Sequence, residues 1–486
     1  MFICTKENIR LIDRQAEERG ISGFTLMENA GAGLYREIST LVTKQQEICI
    51  AAGKGNNGGD GIVLARYLLL NGYQTKLFFP FGLPAEDGTA GRHLHYLTAC
   101  GFSPFADAIE GDVIVDALFG IGFQQPLREE AKVWVRRLNE KQALKISIDI
   151  PSGVEADHGS VSEAFRADYT FCLHGYKPSA ILIPSTAYYG KVSTVSIGLP
   201  QDSKLKIWTE EDAINAWPSF SPFAHKGSFG TGYIIAGSDH MPGSAMLAAK
   251  GALRSGIGKL IMGTSQFASA ILAGEVPETT YEFDGLEKTA SGFVPEKLKA
   301  AAIGPGLENK NYIEQAVQNL LKEDFPVVLD AGALQKREYK KREVPPILTP
   351  HPGEFSRMTG LNVNEIQSSR IQAALQYADE HDVILLLKGE HTVIAFPDGE
   401  AIVNLTGNSA LAKGGTGDTL TGILTACLCT HQNVKEAAAN AVFIHGKTAD
   451  LWVSKYGARS MTASDISDMI PEVMKYLENK KETYSG

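Results

Sequence analysis

Two glycine-framed turns hold the polar residues best suited to chemistry in this chain of 486 residues. The first, AGKGNNGGDG (52–61), follows the apolar run EICIAA (47–52). Glycines let the main chain approach a ligand and aim several N–H groups one way. A helix that follows adds its positive end at the same spot. A phosphate or pyrophosphate suits such a turn. Asn56, Asn57 and Asp60 add polar groups that an ordinary strand-to-helix turn does not require. The second turn, GGTGDTLTGILTACL (414–428), runs straight into an apolar helical pattern. Its N–H groups and dipole suit a transferring phosphoryl group. Asp418 stands at that helix start, either as a cap or as a group that takes a proton.

Other candidates are weaker alone than together. Asp116 sits in VIVDALFG and Asp149 in SIDIPSG, with Ser152 in the turn after Pro151. Each fits a cap or a turn. All three fall on loops expected at one edge of one sheet, where carboxylate, amide and hydroxyl oxygens converge on a hard cation. Lys177, in TFCLHGYKPSA, reads as a surface lysine or a proton-transfer group. His351, in LTPHPGEF, reads as a satisfied structural histidine or a site residue. Lys388 follows the apolar run VILLL, where it either snorkels or reaches phosphates.

The elements that must position these residues alternate. EICIAA, YQTKLFFP (73–80), DVIVDALFG (112–120) and LKISIDIPSG (144–153) read as strands, and GIVLARYLLLNG (61–72) as a helix. Apolar strands separated by helices predict a parallel sheet covered on both faces, with ligands beyond the carboxyl ends of its strands. A second α/β pattern begins near residue 230, in YIIAGS (233–238), KLIMGTS (259–265), FPVVLDAGAL (325–334) and VILLLKG (383–389). TVIAFPDGEAIVNLTG predicts a hairpin about Asp-Gly. Between the halves, LPQDSKLKIWTEEDAINAWPSFSPF breaks the periodicity. It places a linker near 200–222.

Bulk properties exclude several classes. The net charge of -10 argues against nucleic acid, which is met by basic surfaces. Six cysteines without a CxxC pair fit reduced thiols rather than a disulfide framework or zinc site. The charged N-terminus has no apolar signal core, and no apolar run is long enough to span a membrane. A cytoplasmic enzyme is the expectation.

GKGNNGGDG, VIVDALFGIG and SIDIPSG, in that order, resemble the family of NAD(P)H-hydrate epimerases over roughly residues 5–205. The resemblance implies a Rossmann-like three-layer domain, placed here at 1–210. It implies that Asn56, Asn57, Gly58, Gly59 and Asp60 bind the phosphate and ribose region of the substrate. The loop Gly120, Ile121, Gly122, Phe123, Gln124, Gln125 and Pro126 would bind substrate too. Asn57, Asp116 and Ser152 would ligate K+, and Asp149 would contact the nicotinamide–ribose end. Asp149 and Lys177 are the acid–base candidates. The family often has a glycine after that lysine, and this chain has Pro178.

The C-terminal turn resembles the ribokinase-like fold. HKGSFG, GSAMLAAKGALRSGIG, IGPGL, LTPHPGEFSRMTG, LLKGEHTVI and GGTGD then come in the order of NAD(P)H-hydrate dehydratases, over roughly residues 218–480. That family implies a ribokinase-like α/β domain, placed at 218–486. Ala245, Gly306, His351 and Asp418 would face the hydrated nucleotide. Lys388, Gly389, Glu390, His391, Thr392 and Gly417 would bind ADP or ATP, with Mg2+ offsetting phosphate charge. Asp418 would take the proton from the attacking hydroxyl. ADP is the expected nucleotide for a bacterial member, and a homo-oligomer is expected from the family habit.

Together the two resemblances imply a repair enzyme for hydrated NADH and NADPH, epimerising the R and S forms and dehydrating the S form. Two rivals stay open: a ribokinase-like vitamin or sugar kinase, and an N-terminal half that binds a nucleotide or protein without catalysis.

Overall fold

The computed structural model describes residues 1–485 and divides into two compact units, Met1–Leu205 with Gln367–Ser369, and Lys206–Ile366 with Arg370 onward. In the first unit, β1 (Glu47–Ala52), β2 (Gln74–Phe78), β3 (Val113–Ala117), β4 (Leu144–Ile148), β5 (Tyr169–Leu173) and β6 (Lys191–Val195) form one parallel sheet. Its order is β2-β1-β3-β4-β5-β6. Alternate residues of β1 serve opposite faces. Ile48, Ile50 and Ala52 join one core, and Cys49 and Ala51 join the other. Helices on both faces complete three layers. The order reverses between β1 and β3, which opens a crevice beyond their carboxyl ends.

The second unit holds a ten-stranded sheet. Its strands are β7 (Leu205–Trp208), β8 (Thr231–Ile235), β9 (Lys259–Thr264), β10 (Thr280–Phe283), β11 (Ala300–Ile303), β12 (Val327–Leu329), β13 (Ile347–Leu348), β14 (Ile384–Leu387), β15 (Thr392–Ala395) and β16 (Ala401–Asn404). The order is β10-β9-β8-β11-β12-β13-β14-β15-β16-β7. From β10 to β14 the strands are parallel; β14, β15 and β16 pair antiparallel, as the Asp-Gly hairpin predicts.

Two helices of this unit meet unusually closely. On Gly422, in the helix Thr416–Thr430, a Cβ would lie 2.0 Å from the Ala248 carbonyl oxygen of the helix Pro242–Arg254. On Gly251 it would lie 2.5 Å from the Thr419 carbonyl oxygen. Reciprocal glycines therefore allow main-chain contact between the helix that carries Asp418 and the helix that carries Ser244 and Ala245.

Two local readings need correcting. Asn56 to Asp60 do not form a loop but the first turns of the helix Asn56–Leu70, because the turn ends at Gly55. The stretch read as a linker holds β7 and the helix Glu210–Asn215. Thr209 caps that helix through a box with Asp212. No helix among the described residues is long and apolar enough to cross a membrane.

Candidate active sites

In the N-terminal unit the singled-out residues lie at or beyond the carboxyl ends of β1, β3, β4 and β5. Glycines bring the first of these ends together. On Gly53 a Cβ would lie 2.0 Å from the Leu118 carbonyl oxygen, and on Gly58 it would lie 1.9 Å from that of Gly53. Asn57 is buried, and its Nδ2 donates to the Phe119 carbonyl at 2.8 Å. A Cβ on Gly120 would stand 3.4 Å from Asn57 Oδ1, so the loop Gly120 to Pro126 starts directly over Asn57. In that loop Gly122, Gln124 and Pro126 are exposed, and Ile121, Phe123 and Gln125 are half-buried. The Gln125 amide donates to Glu155 at 2.7 Å.

Asp116 lies inside β3 rather than at a helix cap, and it is fully buried. Its Oδ1 accepts from Ser152 Oγ at 2.6 Å and from the Leu118 amide at 3.2 Å. Its Oδ2 accepts from the Ser152 amide at 2.8 Å. Ser152 Oγ accepts in turn from the Phe119 amide at 3.0 Å. Burial pushes the Asp116 carboxyl up to about 6, against the lowering effect of these donors. A buried carboxylate held by neutral groups suits a cation neighbour. Among the described residues no cluster of three or more His, Cys, Asp or Glu could hold a metal ion. Asn57, Asp116 and Ser152 offer one carboxylate with amide and hydroxyl oxygens, the donor types that a hard cation takes.

Asp149 follows β4 in the left-handed region, with φ 66. Its Oδ1 accepts from the Leu173 amide at 3.0 Å and lies 2.7 Å from Lys177 Nζ. Lys177 is no surface lysine: its side chain is 1% exposed. Its ammonium also donates to the carbonyls of Leu173, at 2.8 Å, and Gly175, at 2.9 Å. Burial alone would lower this amine, yet Asp149 and the nearby thiol of Cys172 leave it above its ordinary range. Asp60 is also buried. Desolvation, with the charges of Asp149 and Asp13 added, holds its carboxyl well above the usual carboxylate range. Asp13, on the helix Lys6–Glu18, went unnoticed in the sequence because nothing local marks it.

In the C-terminal unit the helix Thr416–Thr430 starts after Gly415, whose φ of 87 a side chain rarely adopts. Asp418 is its third residue, so it does not serve as the cap. It accepts a hydrogen bond from Ser244, and burial pushes its carboxyl up to about 6, with Asp330 and Glu354 adding to the rise. Gly306, at φ 66, closes on the same serine: a Cβ there would lie 2.7 Å from Ser244 Cβ. Ala245 is buried next to it. Asp418, Ala245 and Gly306 are thus brought together, with Ser244 between them.

His351 caps the helix Pro352–Thr359, its Nδ1 accepting from the amides of Gly353 and Glu354 at 3.0 and 3.3 Å. Proline at the first helical position and left-handed Gly360 at the end complete a well-signalled helix. The cap occupies Nδ1, which places the neutral proton on Nε2 of a half-exposed ring.

Lys388, at the end of β14, reaches inward. Its Nζ lies 2.9 Å from Asp330 Oδ1, and a Cβ on Gly417 would stand 3.4 Å from that Nζ. Gly389 and Glu390 are exposed, His391 is half-buried, and Thr392 is buried at the start of β15, its Oγ1 donating to the Gly389 carbonyl at 3.3 Å. Buried Arg370 supports this loop, its Nη2 donating to the carbonyls of Leu387 and Lys388, each at 3.0 Å. Sequence reasoning passed over Asp330, Ser244 and Arg370. Asp330 did carry a signal: VVLDAG repeats the strand-ending aspartate of VIVDAL.

Comparison with known proteins decides what these two sites belong to. Residues 233–472 match the family described as NAD(P)H-hydrate dehydratase, and residues 23–179 match the YjeF-related protein N-terminus. The bifunctional NAD(P)H-hydrate repair enzyme Nnr of Thermofilum pendens is 34% identical over 99% of this chain and 98% of its own. The chain belongs to the bifunctional NAD(P)H-hydrate repair enzyme family. A second member, from Moorella thermoacetica, is 32% identical over 99% of this chain and 98% of its own length. The ADP-dependent (S)-NAD(P)H-hydrate dehydratase of Bacillus subtilis is 50% identical over 56% of this chain and 98% of its own. The crystal structure of the Bacillus subtilis ADP/ATP-dependent enzyme, co-crystallised with ATP/Mg2+, superposes with a TM-score of 0.55 at 50% identity, covering 56% of this chain and 98% of that one. A ribokinase-like superfamily protein of Enterococcus faecalis shares the fold at 22% identity, with a TM-score of 0.51. The two-part architecture of this chain is a Rossmann-like domain followed by a ribokinase-like domain.

Proposed function

We propose that this chain repairs hydrated NADH and NADPH. A domain at 1–210 interconverts the R and S hydrates, and a domain at 218–486 dehydrates the S form at the expense of ADP or ATP. Full-length similarity to bifunctional repair enzymes is the observation that carries this reading.

The chemistry suits the groups present. Hydration leaves a hydroxyl on the ring carbon beside nitrogen, a hemiaminal that opens and recloses on either face. Only proton transfers are needed. Asp149 takes the proton. Lys177, with its donors committed to Asp149 and two carbonyls, orients that carboxylate rather than shuttling protons itself. Asp60, its carboxyl held well above the usual carboxylate range by burial, is placed to return a proton. The helix start at Asn56 and the loop from Gly120 receive the anionic and ribose parts of the substrate. A potassium ion held by Asn57, Asp116 and Ser152 would offset negative charge beside that phosphate-binding turn.

In the second domain Asp418 removes the proton of the ring hydroxyl. That oxygen attacks the terminal phosphorus of the nucleotide, forming a C–O–P link and releasing AMP from ADP, or ADP from ATP. The C–O bond then breaks with phosphate as leaving group. Loss of a proton from the neighbouring ring carbon restores the dihydropyridine. Gly417 and the helix N-terminus face the transferring phosphoryl group, Lys388 meets nucleotide phosphate, and Ala245, Gly306 and His351 contact the hydrate. Mg2+ would supply charge neutralisation on the nucleotide.

The test is to offer chromatographically resolved R hydrate without nucleotide. Appearance of the S form supports the epimerase assignment. Its absence, with S hydrate still dehydrated once nucleotide is added, would leave the N-terminal domain a binding module.

A further inference from the structure

Asp330 directly follows β12 and is buried, its side chain 2% exposed. Three donors from three elements converge on it. Its Oδ1 accepts from Lys388 Nζ at 2.9 Å, at the end of β14, and from Thr349 Oγ1 at 2.8 Å, after β13. Its Oδ2 accepts from Thr421 Oγ1 at 2.8 Å, one turn beyond Asp418 in the helix Thr416–Thr430. Gly304 packs against the same point, since a Cβ there would lie 1.7 Å from the Asp330 carbonyl oxygen. The carboxylate is therefore fixed in place and orientation by the sheet on one side and by the phosphoryl-binding helix on the other.

Among the described residues, Lys388 is the cation of this network. The charged or titratable groups that face it are Asp330, Glu354 of the helix Pro352–Thr359, Asp418 of the helix Thr416–Thr430, and His445 of the helix Val434–Tyr456. Of these, Asp330 is the group that accepts a hydrogen bond from its ammonium, among the described residues. A buried ammonium without a counter-charge either loses its proton or leaves.

We propose that Asp330 is a positioning residue of the dehydratase site: it holds the Lys388 ammonium against the Gly417 turn, where the nucleotide phosphates lie. This rests on the reading of Lys388 as a nucleotide-binding group. Burial opposes ionisation of both partners. Even so, the pair with its hydroxyl donors leaves Asp330 below the usual carboxylate range and Lys388 above the usual amine range. Removing the carboxylate takes the largest support from the lysine charge, so that charge is lost as pH rises.

The experiment is calorimetric titration of the full-length protein with ADP and with ATP, each with Mg2+, between pH 7.0 and 9.5. Asp330→Asn is expected to weaken nucleotide binding ~10-fold at pH 7, with a deficit that deepens toward pH 9.5. In steady state the nucleotide KM should rise more than kcat falls. Asp330→Asn/Lys388→Arg should lose that deepening, because a guanidinium stays charged throughout. Thr421→Val, which keeps both charges but frees one carboxylate oxygen, should raise nucleotide KM about threefold. A folded Asp330→Asn that binds as tightly as wild type at every pH would overturn the proposal. So would a double variant as pH-sensitive as the single one, or an unchanged KM in Thr421→Val. Wild type that binds neither nucleotide would instead remove the reading of Lys388 itself.

Discussion

Lys177 Nζ stands 2.7 Å from Asp149 Oδ1 in the N-terminal unit, and the two side chains are only 1% and 9% exposed. Breaking one side of a buried ion pair leaves an uncompensated charge, at a cost of about 3–5 kcal/mol. Lys177→Met should lose about that much stability in urea unfolding, together with epimerisation. Lys177→Met/Asp149→Leu should recover most of the stability and none of the activity. Because Lys177 is held above its ordinary range, the pair's contribution persists below the usual lysine pKa and fades as pH climbs through the raised one. A single variant as stable as wild type would contradict the geometry.

Asp418 must be ionised to accept a proton, and its carboxyl is pushed up to about 6. Dehydration should therefore show an acid limb in kcat/KM near pH 6, rising with pH as the carboxylate forms. Asp418→Ala should cost about 10²–10⁴-fold in kcat. A flat profile from pH 5 to 8 in the wild type would separate Asp418 from the proton transfer.

The oxygen set of Asn57, Asp116 and Ser152 predicts cation dependence. Epimerisation should be stimulated by K+ over choline as counter-ion. Asp116→Asn should remove that stimulation while dehydration of the S form continues at the wild-type rate. Equal rates in K+ and choline would argue against a cation in this crevice.

The close approach of the helices Pro242–Arg254 and Thr416–Thr430 depends on Gly422, whose absent Cβ leaves 2.0 Å to the Ala248 carbonyl oxygen. Gly422→Ala should destabilise by about 1–3 kcal/mol through overpacking. It should also slow dehydration, since it shifts Asp418 relative to Ser244. Epimerisation should be unaffected. Unchanged stability would mean that the helices part at no cost.

The glycine-rich turns were legible because main chain packed against main chain, as at Gly53 and Gly58, needs residues without Cβ. The apolar runs gave the parallel strands and the Asp-Gly pair gave the β15–β16 hairpin. The structure adds what short-range pattern cannot hold. Asp330 meets Thr421 from 91 positions away, and Asp60 is affected by Asp13 from a separate helix. Lys177 could be read as a surface lysine or a proton-transfer group, because its burial comes from carbonyls of its own turn and from Asp149. The stretch around 205–215 looked like a linker because β7 is a four-residue strand paired only at the sheet edge.

The most direct measurement of the repair function supplies an equilibrium mixture of R and S NADH hydrate with Mg2+, K+ and either ADP or ATP, and follows NADH absorbance. The account predicts complete conversion by the wild type with at least one nucleotide. It predicts NADH formation slowed about 10²–10⁴-fold with Asp418→Ala, and rapid consumption of only the S form with Asp149→Ala. No NADH from the wild type with either nucleotide would contradict the account at its centre.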